Sequence, residues 1–363
     1  MKYVFLTIFL LNSMLLFAQP IEVECYYGKY DTEQKSAGHP AGSLNKCKKE
    51  TWNFSKPSKK YKIAVLLPHL KDPYFLGVNY GILKQSNKNN IQFKLYEAGG
   101  YNKLDRQKKQ FYKAIADGVD GIILASIHYK KFDRDILEAK KLGIPVVAVI
   151  NDVNAAKIYS KALVSFYQMG YKTGEYIAKL SKNKNINIAF LPGPNGSGWA
   201  PDTLNGFKHA ISKHRKTNIN VYEPLFGDTG KITQSILIKR AFYYYKNIDY
   251  LVGNAVMAVE ATKYLKKTNN TKTKIISTYM IPDVYKMIKS NKILAAPSDN
   301  GMIQAMISVD MLQKILDGKK AGVDFPFRAG PIIPIINQKN IKDFKYESLF
   351  GEKNFKAIYT NKQ

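Results

Sequence analysis

The residues best suited to chemistry are carboxylates and aromatic side chains that directly follow apolar segments of strand length. Asp72, Tyr74 and Phe75 come just after the first such segment. A carboxylate beside aromatic rings can receive a cation, because ring faces attract positive charge. Structural roles are equally open: Asp72 precedes Pro73 and fits a helix N-cap, and Phe75 fits core packing. A cap at the rim of a cleft is compatible with ligand binding.

A loop rich in glycine and proline, residues 192–202, carries Trp199. A phosphate-binding P-loop needs Lys and then Ser or Thr after its last glycine, whereas Gly198 is followed by Trp199 and Ala200. The dinucleotide fingerprint and the nucleophile elbow around Ser197 are also absent from this loop. Trp199 can be a core residue, but its small and polar neighbours favour display in a cleft, since Trp usually has one apolar and one wet side.

Two further strand ends add a phenol and a second carboxylate. Tyr279 follows the apolar segment 274–278, and Asp299 follows the segment 293–296. Both can instead be turn residues, and for Asp299 a turn or cap is the more ordinary role. The five histidines show no metal-ligand spacing, and no serine or cysteine has a recognisable base nearby. The sequence therefore predicts a binding site without catalytic residues, metal or cofactor.

These residues must be positioned by the alternating apolar and amphipathic segments that begin at residue 61. The pattern predicts βα units of parallel sheets. Predicted strands lie at residues 62–67, 91–96, 121–126, 145–150, 162–166, 187–191, 220–225, 250–253, 274–278, 293–296 and 332–336. Predicted helices lie at residues 74–88, 104–117, 132–142, 169–180, 203–213, 231–246, 255–266 and 302–316.

Two successive sets of these units predict an α/β fold with two Rossmann-like lobes. Ligands of open α/β sheets bind at the carboxyl ends of the strands, so two facing lobes bring the candidate residues to one interdomain cleft. We assign residues 1–18 to a signal peptide, 19–60 to an irregular N-terminal extension, 61–150 plus 298–325 to lobe 1, and 151–297 plus 330–340 to lobe 2. The chain is expected to cross between the lobes near Asn151, near Ser298 and just before Ile332.

The predicted cellular location and the net charge of the chain limit which partners it can have. Residues 1–18 run from Lys2 through an apolar stretch to Ala18, which is typical of a cleaved export signal and is too short for a stable membrane span. In an oxidising compartment Cys25 and Cys47 are expected to form a disulfide. Lys and Arg number 56 against 28 Asp and Glu, a formal charge of +28, but no basic stripe with interleaved aromatics indicates nucleic acid.

Several segments resemble the TorT-like family of periplasmic binding proteins, which sense trimethylamine N-oxide. The similar segments are LPHLKDPYFLGVNYG at 67–81, EAGGY at 97–101, VSFYQMGY at 164–171, LPGP at 191–194, GDTG at 227–230 and ILAAPSD at 293–299. The resemblance covers about residues 60 to 340. It implies the type I periplasmic binding protein fold and a periplasmic location. It also implies a partner, the sensor region of a TorS-like histidine kinase that induces anaerobic respiration genes.

By motif match, the resemblance places Tyr74, Trp199 and Tyr279 in an aromatic cage beside Asp72. Phe75 stands where the family has Trp, which keeps an aromatic wall but removes an indole N–H. The implied ligand is trimethylamine N-oxide or a similar small methylated amine. Each cation–aromatic contact contributes roughly 0.5 to 2 kcal/mol, and Tyr74, Tyr279 or Trp199 can donate to the oxygen. Closure of the lobes would then be the signal.

Two other functions remain open. A binding protein of an ABC importer would carry a sugar or a quaternary amine, and a sugar site needs several inward Asp, Asn and Arg side chains. An enzyme on an α/β scaffold is disfavoured by the missing nucleophile, metal and nucleotide motifs. Of the two tryptophans, only Trp199 is expected to affect ligand binding, whereas Trp52 lies in the predicted extension.

Overall fold

A computed structural model describes residues 20–32, 42–56, 58–181, 184–214 and 218–361. The predicted signal peptide lies outside the described residues. Within these ranges, none of the helices is both long enough and apolar enough to cross a membrane.

The described residues form a mixed α/β protein. Its strands are β1 (Glu22–Tyr27), β2 (Asn45–Lys46), β3 (Glu50–Thr51), β4 (Tyr61–Leu67), β5 (Ile91–Glu97), β6 (Gly121–Leu124), β7 (Val146–Val149), β8 (Ser160–Ala162), β9 (Ile186–Leu191), β10 (Ile219–Val221), β11 (Tyr250–Gly253), β12 (Lys274–Ser277), β13 (Ala295–Pro297), β14 (Arg328–Pro331) and β15 (Ile335–Asn337). Its α-helices are α1 (Pro73–Lys88), α2 (Leu104–Ala116), α3 (Asp133–Lys141), α4 (Phe166–Leu180), α5 (Trp199–Lys213), α6 (Lys231–Tyr244), α7 (Ala255–Lys267), α8 (Pro282–Lys289), α9 (Gly301–Leu316) and α10 (Tyr346–Phe350).

The first lobe is built on a large sheet. Its parallel part runs in the order β14-β8-β7-β6-β4-β5. Strand β1 extends the sheet beyond β14, with which it pairs antiparallel. Strands β6 and β7 are buried along their whole length, which explains why they appear in the sequence as continuous apolar runs. Helices α1 and α9 pack together on this lobe. The parallel strands therefore end at one edge, which faces the second lobe.

The second lobe contains a smaller parallel sheet in the order β10-β9-β11-β12, next to the antiparallel pair β13-β15. Helices α4 and α5 pack against each other with their backbones in contact. A Cβ placed on Gly170 would lie 1.8 Å from the Thr203 carbonyl oxygen. Since α5 begins at Trp199, this tight packing fixes the direction in which the candidate tryptophan projects.

Three parts of the chain differ from the sequence-based expectation. The segment 19–60 was expected to be irregular, yet it contributes β1 to the large sheet and the short β2 and β3 beside it. Val23 and Cys25 of β1 are fully buried, but a two-position alternation is too short to stand out in the sequence. The predicted disulfide between Cys25 and Cys47 is present. The residues after the last predicted strand, for which no helix was predicted, contain α10, which packs against α1.

The third difference concerns the crossing segments between the lobes. Strand β8 was assigned to the second lobe but pairs with β7 and β14 in the first sheet. The first crossing therefore follows β8, at about residues 163–165, and not Asn151. The other two lie between β13 and α9 and between β14 and β15. The prediction failed at β8 because this buried strand has only three residues, Ser160–Ala162, and so short a segment carries no mark of the sheet to which it belongs.

Candidate functional site

A small cavity lies between the two lobes at the carboxyl ends of their strands. It is narrow, with about 340 Å³ of empty space including the part open to solvent. Its lining residues are Asp72, Tyr74, Phe75, Tyr101, Ile150, Asn151, Phe166, Trp199, Thr229 and Tyr279. Five of the six residues singled out in the sequence therefore line one cavity, whose size suits a ligand of few heavy atoms.

The first wall of the cavity comes from the start of α1. Asp72 is the N-cap of this helix, and its Oδ1 accepts a hydrogen bond from the Tyr74 backbone N–H at 3.0 Å. Pro73 occupies the first turn, where its missing N–H costs nothing. Capping thus holds the Tyr74 and Phe75 rings edge to face, with their centroids 5.3 Å apart. The structural and the ligand-facing roles of Asp72 coexist, as the sequence allowed.

The opposite wall is formed by Trp199 and Tyr279, whose rings meet edge to face with centroids 5.8 Å apart. The Tyr279 ring also contacts Tyr74 across the cavity, at 5.4 Å between centroids. Trp199 is buried, and its indole N–H donates to the Tyr101 hydroxyl at 3.2 Å. The cleft position expected for Trp199 and its burial are both observed, because its ring fills the space between the lobes.

Gly193 makes room for the Trp199 ring. It has a φ of 127°, and a Cβ at this position would lie 2.5 Å from the indole Cη2. We expect Gly193→Ala to lower the free energy of unfolding by about 1 kcal/mol through backbone strain and also to weaken ligand binding by displacing the indole. Gly118→Ala is the matched control, because Gly118 has a φ of 67° with open space around it. Calorimetric titration of both variants checks this, and equal ligand affinities would contradict it.

Asp299 does not line the cavity but lies directly behind it. Its carboxylate accepts hydrogen bonds from the Tyr74 hydroxyl and, at 3.1 Å, from Gln304 Nε2. The cap of α9 that the sequence suggested for Asp299 is supplied by Asn300. Asp299 therefore orients a cavity residue through its hydroxyl, and the Tyr74 proton is committed to this bond.

Five lining residues were not singled out in the sequence: Tyr101, Ile150, Asn151, Phe166 and Thr229. Tyr101, Phe166 and Thr229 lie in segments of the family resemblance, and Asn151 is the predicted first crossing between the lobes. Asn151 Nδ2 donates to the Tyr101 hydroxyl at 3.0 Å. Ile150 has a φ of 61°, a strained conformation for a β-branched residue of the kind that clusters at functional sites. That conformation has no signal in the sequence.

Burial changes the protonation of the acidic groups at the site. It raises the pKa of Asp72 to about 6, against backbone hydrogen bonds from Tyr74 and Phe75 that lower it. Burial likewise raises the pKa of Asp299 to about 6. The pKa values of the Tyr74 and Tyr279 hydroxyls are held well above their usual range, chiefly by burial, so both phenols are neutral. None of the described lining residues is Lys or Arg.

Contacts between the lobes show that the cleft is closed. Lys71 Nζ of the first lobe lies 2.8 Å from Asp228 Oδ2 of the second. The Tyr129 backbone N–H donates to the Gly196 carbonyl at 3.4 Å, and the Trp199–Tyr101 bond joins the lobes at the cavity itself. The cavity walls are therefore assembled by closure, and opening would take apart the ring contacts across it.

Comparison with known proteins places the chain among binding proteins. A model of the periplasmic binding protein domain matches residues 63–320. The periplasmic protein TorT of Escherichia coli K12 is 26% identical over 304 residues, which cover 84% of this chain and 86% of TorT.

Two solved structures extend this comparison. An ABC transporter solute binding protein from Bradyrhizobium sp. BTAi1 with bound Bis-Tris has a TM-score of 0.77 and 32% identity, covering 94% of this chain and 98% of its own. TorT in complex with the TorS sensor domain, solved without ligand and with trimethylamine N-oxide, has a TM-score of 0.73 and 28% identity, covering 82% of this chain and 99% of its own.

Proposed function

We propose, on the premise that this chain belongs to the periplasmic binding protein family, that it is a periplasmic sensor protein for trimethylamine N-oxide or a similar small methylated amine. The family consists of ligand binders, and TorT, its relative, is a periplasmic protein. In this proposal the chain carries out no reaction. Its output is the closed conformation itself.

The observation that carries the proposal is the composition of the cavity wall. The chain has twice as many basic as acidic residues. The described residues that line the cavity nevertheless offer aromatic rings and a carboxylate, and none of them is basic. Such a wall disfavours phosphate, sulfate and carboxylate ligands, because a buried anion needs a partner of opposite charge. It favours a compact cation shielded by methyl groups, which can contact several ring faces at once.

The cavity also supplies a donor for the oxygen of an N-oxide. The Tyr101 hydroxyl accepts two hydrogen bonds, from Asn151 Nδ2 at 3.0 Å and from Trp199 Nε1 at 3.2 Å. A hydroxyl has two acceptor positions and one proton, so the Tyr101 proton is left to donate. The Tyr74 proton and the indole proton are already committed. Of the donors expected from the sequence, Tyr279 is left, and we add Tyr101 as a second donor.

The proposed partner is the periplasmic domain of a sensor histidine kinase. Support comes from the solved complex of TorT with the TorS sensor domain. A ligand bound between the lobes contacts both walls only when they are closed, so it shifts the population toward the closed form. In our proposal the kinase distinguishes the closed from the open form and induces genes of anaerobic respiration.

The second candidate is a solute-binding protein of an ABC importer, favoured by the Bradyrhizobium structure at 32% identity. A sugar is a poor fit to this cavity because the Tyr101, Asn151 and Trp199 polar groups bond to one another. Few groups are then left for the paired hydrogen bonds of a ring of hydroxyls. An importer substrate would therefore be a quaternary or methylated amine, which the same wall accommodates.

Thermal unfolding and calorimetric titration with a ligand panel test the ligand assignment. The panel is trimethylamine N-oxide, trimethylamine, betaine, choline and ribose. A ligand present at a hundred times its Kd should stabilise the folded protein by about 2.7 kcal/mol. We expect trimethylamine N-oxide to stabilise the folded protein most, and amines without the N-oxide oxygen to stabilise it less at the same concentration. Binding of ribose, or of no methylated amine, would overturn the proposal.

A further inference from the structure

Helix α6 carries an unusual concentration of exposed apolar side chains. Of the nine large apolar side chains that are exposed among the described residues, four lie on this helix. Their exposed fractions are 79% for Ile232, 46% for Ile236, 83% for Tyr243 and 64% for Tyr244. Single exposed apolar residues are ordinary, whereas a contiguous group marks an interaction surface.

The helix is apolar on two opposite faces. Its inner face packs on the lobe through Gln234, Leu237, Ile238 and Ala241, which are buried. Ile232, Ile236 and Tyr243 are spaced by four and seven residues, so they form one row on the outward face. We name this row, with the exposed Lys239 and Arg240 beside it, the α6 stripe. Folding of the chain explains the inner face and leaves the stripe without a function.

The stripe is continuous with a groove that spans the two lobes. The groove is lined by Lys71, Asp72 and Pro73 of the first lobe and by residues 228–233, with Ile232 among them, of the second lobe. The Lys71–Asp228 ion pair at 2.8 Å links its two sides. A partner seated on the stripe and in this groove would contact both lobes, and it would lose the contacts with one lobe when the cleft opens.

The charge of the α6 stripe indicates what kind of partner it binds. Helix α6 has Lys231, Lys239 and Arg240 and no acidic residue, and in the described part of the chain no carboxylate pairs with Lys239 or Arg240. A second copy of this chain would bring another basic surface, since each copy carries a formal charge of +28. An anionic bilayer fits less well, because the groove is concave and a flat surface does not fill it. The carboxylates of the groove, Asp228, Glu260 and Asp283, each pair with a lysine of this chain, so they do not cancel the positive charge of the stripe.

We infer that the α6 stripe and its groove form the docking surface for a helix of the sensor kinase's periplasmic domain, one that presents apolar side chains flanked by acidic residues. This inference rests on the proposed function. An amphipathic helix lying along α6 would bury the exposed apolar side chains and pair its carboxylates with Lys239 and Arg240. Docking there would couple the kinase to closure of the cleft.

Site-specific photo-crosslinking in the bacterium that makes the protein tests the surface. Benzoylphenylalanine is placed at position 232 or 243, and at Leu142 and Val323 as controls, which are exposed at 63% and 72% away from α6. We expect kinase peptides from an acidic periplasmic segment to be cross-linked at 232 and 243 but not at the controls. Capture of a second copy, of an importer subunit or of lipid, or equal capture at all four positions, would overturn the inference.

Charge reversal provides the matched comparison. Lys239→Glu with Arg240→Glu should lower kinase capture at position 243 about tenfold, whereas Lys266→Glu with Lys267→Glu, the same charge change on α7, should leave it unchanged. Neither pair lines the cavity, so calorimetric titration with trimethylamine N-oxide should give wild-type affinity in both. Ligand binding without kinase capture at α6 refutes the surface alone, and kinase capture at α6 without ligand binding refutes the ligand alone.

Discussion

Trp199→Ala should reduce the affinity for trimethylamine N-oxide by about thirtyfold or more, equivalent to about 2 kcal/mol. The variant loses an aromatic wall of the cavity, the edge contact with Tyr279 at 5.8 Å and the contact with Phe166 at 6.1 Å. It also removes the indole N–H that holds the Tyr101 hydroxyl, so the proposed donor to the N-oxide oxygen becomes less well oriented. Calorimetric titration measures the loss.

Trp199→Phe helps to separate the two contributions, because it keeps one aromatic ring and removes the donor together with the second ring of the indole. We expect its affinity to lie between those of the wild type and the alanine variant. Thermal unfolding should remain cooperative in both, since part of the burial of Trp199 comes from contact with Tyr101 of the other lobe. Wild-type affinity in the alanine variant, or a failure of the phenylalanine variant to fold, would return Trp199 to a purely structural role.

Trp52 is a poor control for this experiment. Its place in the predicted N-terminal extension had suggested that it could be replaced without consequence. It is buried, and its indole N–H donates to Asp310 Oδ2 at 3.0 Å. The two tryptophans are nevertheless useful together, because they are the only two in the chain. A change of fluorescence on ligand binding should persist in Trp52→Phe and disappear in Trp199→Phe.

The sequence could predict the residues whose position depends on local rules. Asp72 before Pro73 fixes a helix start, and the residues after it must then lie at the end of β4. Tyr279 follows β12 in the same way. Since the ends of parallel strands converge in this fold, the positions of these residues follow from the order of strands and helices alone. The same rules predicted the two lobes and their cleft.

The remaining features depend on contacts between distant segments. The donor role that we propose for Tyr101 depends on Asn151 and Trp199, 50 and 98 residues away, which donate to its hydroxyl. Asp299 was correctly placed at a strand end, but its bond to Tyr74, 225 residues away, sets its role. Strand β1 joins the sheet through pairing with β14 near the other end of the chain. No local pattern encodes these pairings.

Ligand affinity should fall as the pH is lowered through about 6. Burial raises the pKa of Asp72 and of Asp299 to about 6, so both are ionised at pH 8 and largely protonated at pH 5. The positively charged nitrogen of the ligand is stabilised by the ionised carboxylates, and each carboxylate that must be ionised weakens binding about tenfold over one pH unit below its pKa. We expect affinity for trimethylamine N-oxide to fall at least tenfold between pH 8 and pH 5.

As the pH is lowered, the free energy of unfolding of the ligand-free protein should rise, whereas the ligand affinity should fall. The ordinary pKa of an aspartate is 3.8, so between about pH 4 and 6 these two carboxyls bind more protons in the folded than in the unfolded state. Their contribution to the free energy of unfolding therefore increases as the pH falls through this window. His69 opposes this trend, because burial lowers its pKa from 6.5 to about 4, so in this window it binds a proton in the unfolded but not in the folded state. Two carboxyls act against one imidazole, so the net contribution to the free energy of unfolding still increases as the pH falls.

Asp72→Asn isolates the charge, because asparagine caps a helix as well as aspartate does. This variant should bind the ligand weakly at pH 8, should depend less on pH than the wild type, and should be more stable at pH 8 because a buried charge has been removed. Titrations and unfolding curves of both proteins at four pH values between 5 and 8 measure each quantity. If Asp72→Asn keeps the full pH dependence of the wild type, the Asp72 carboxylate does not contribute to ligand binding, and the pH dependence must come from Asp299.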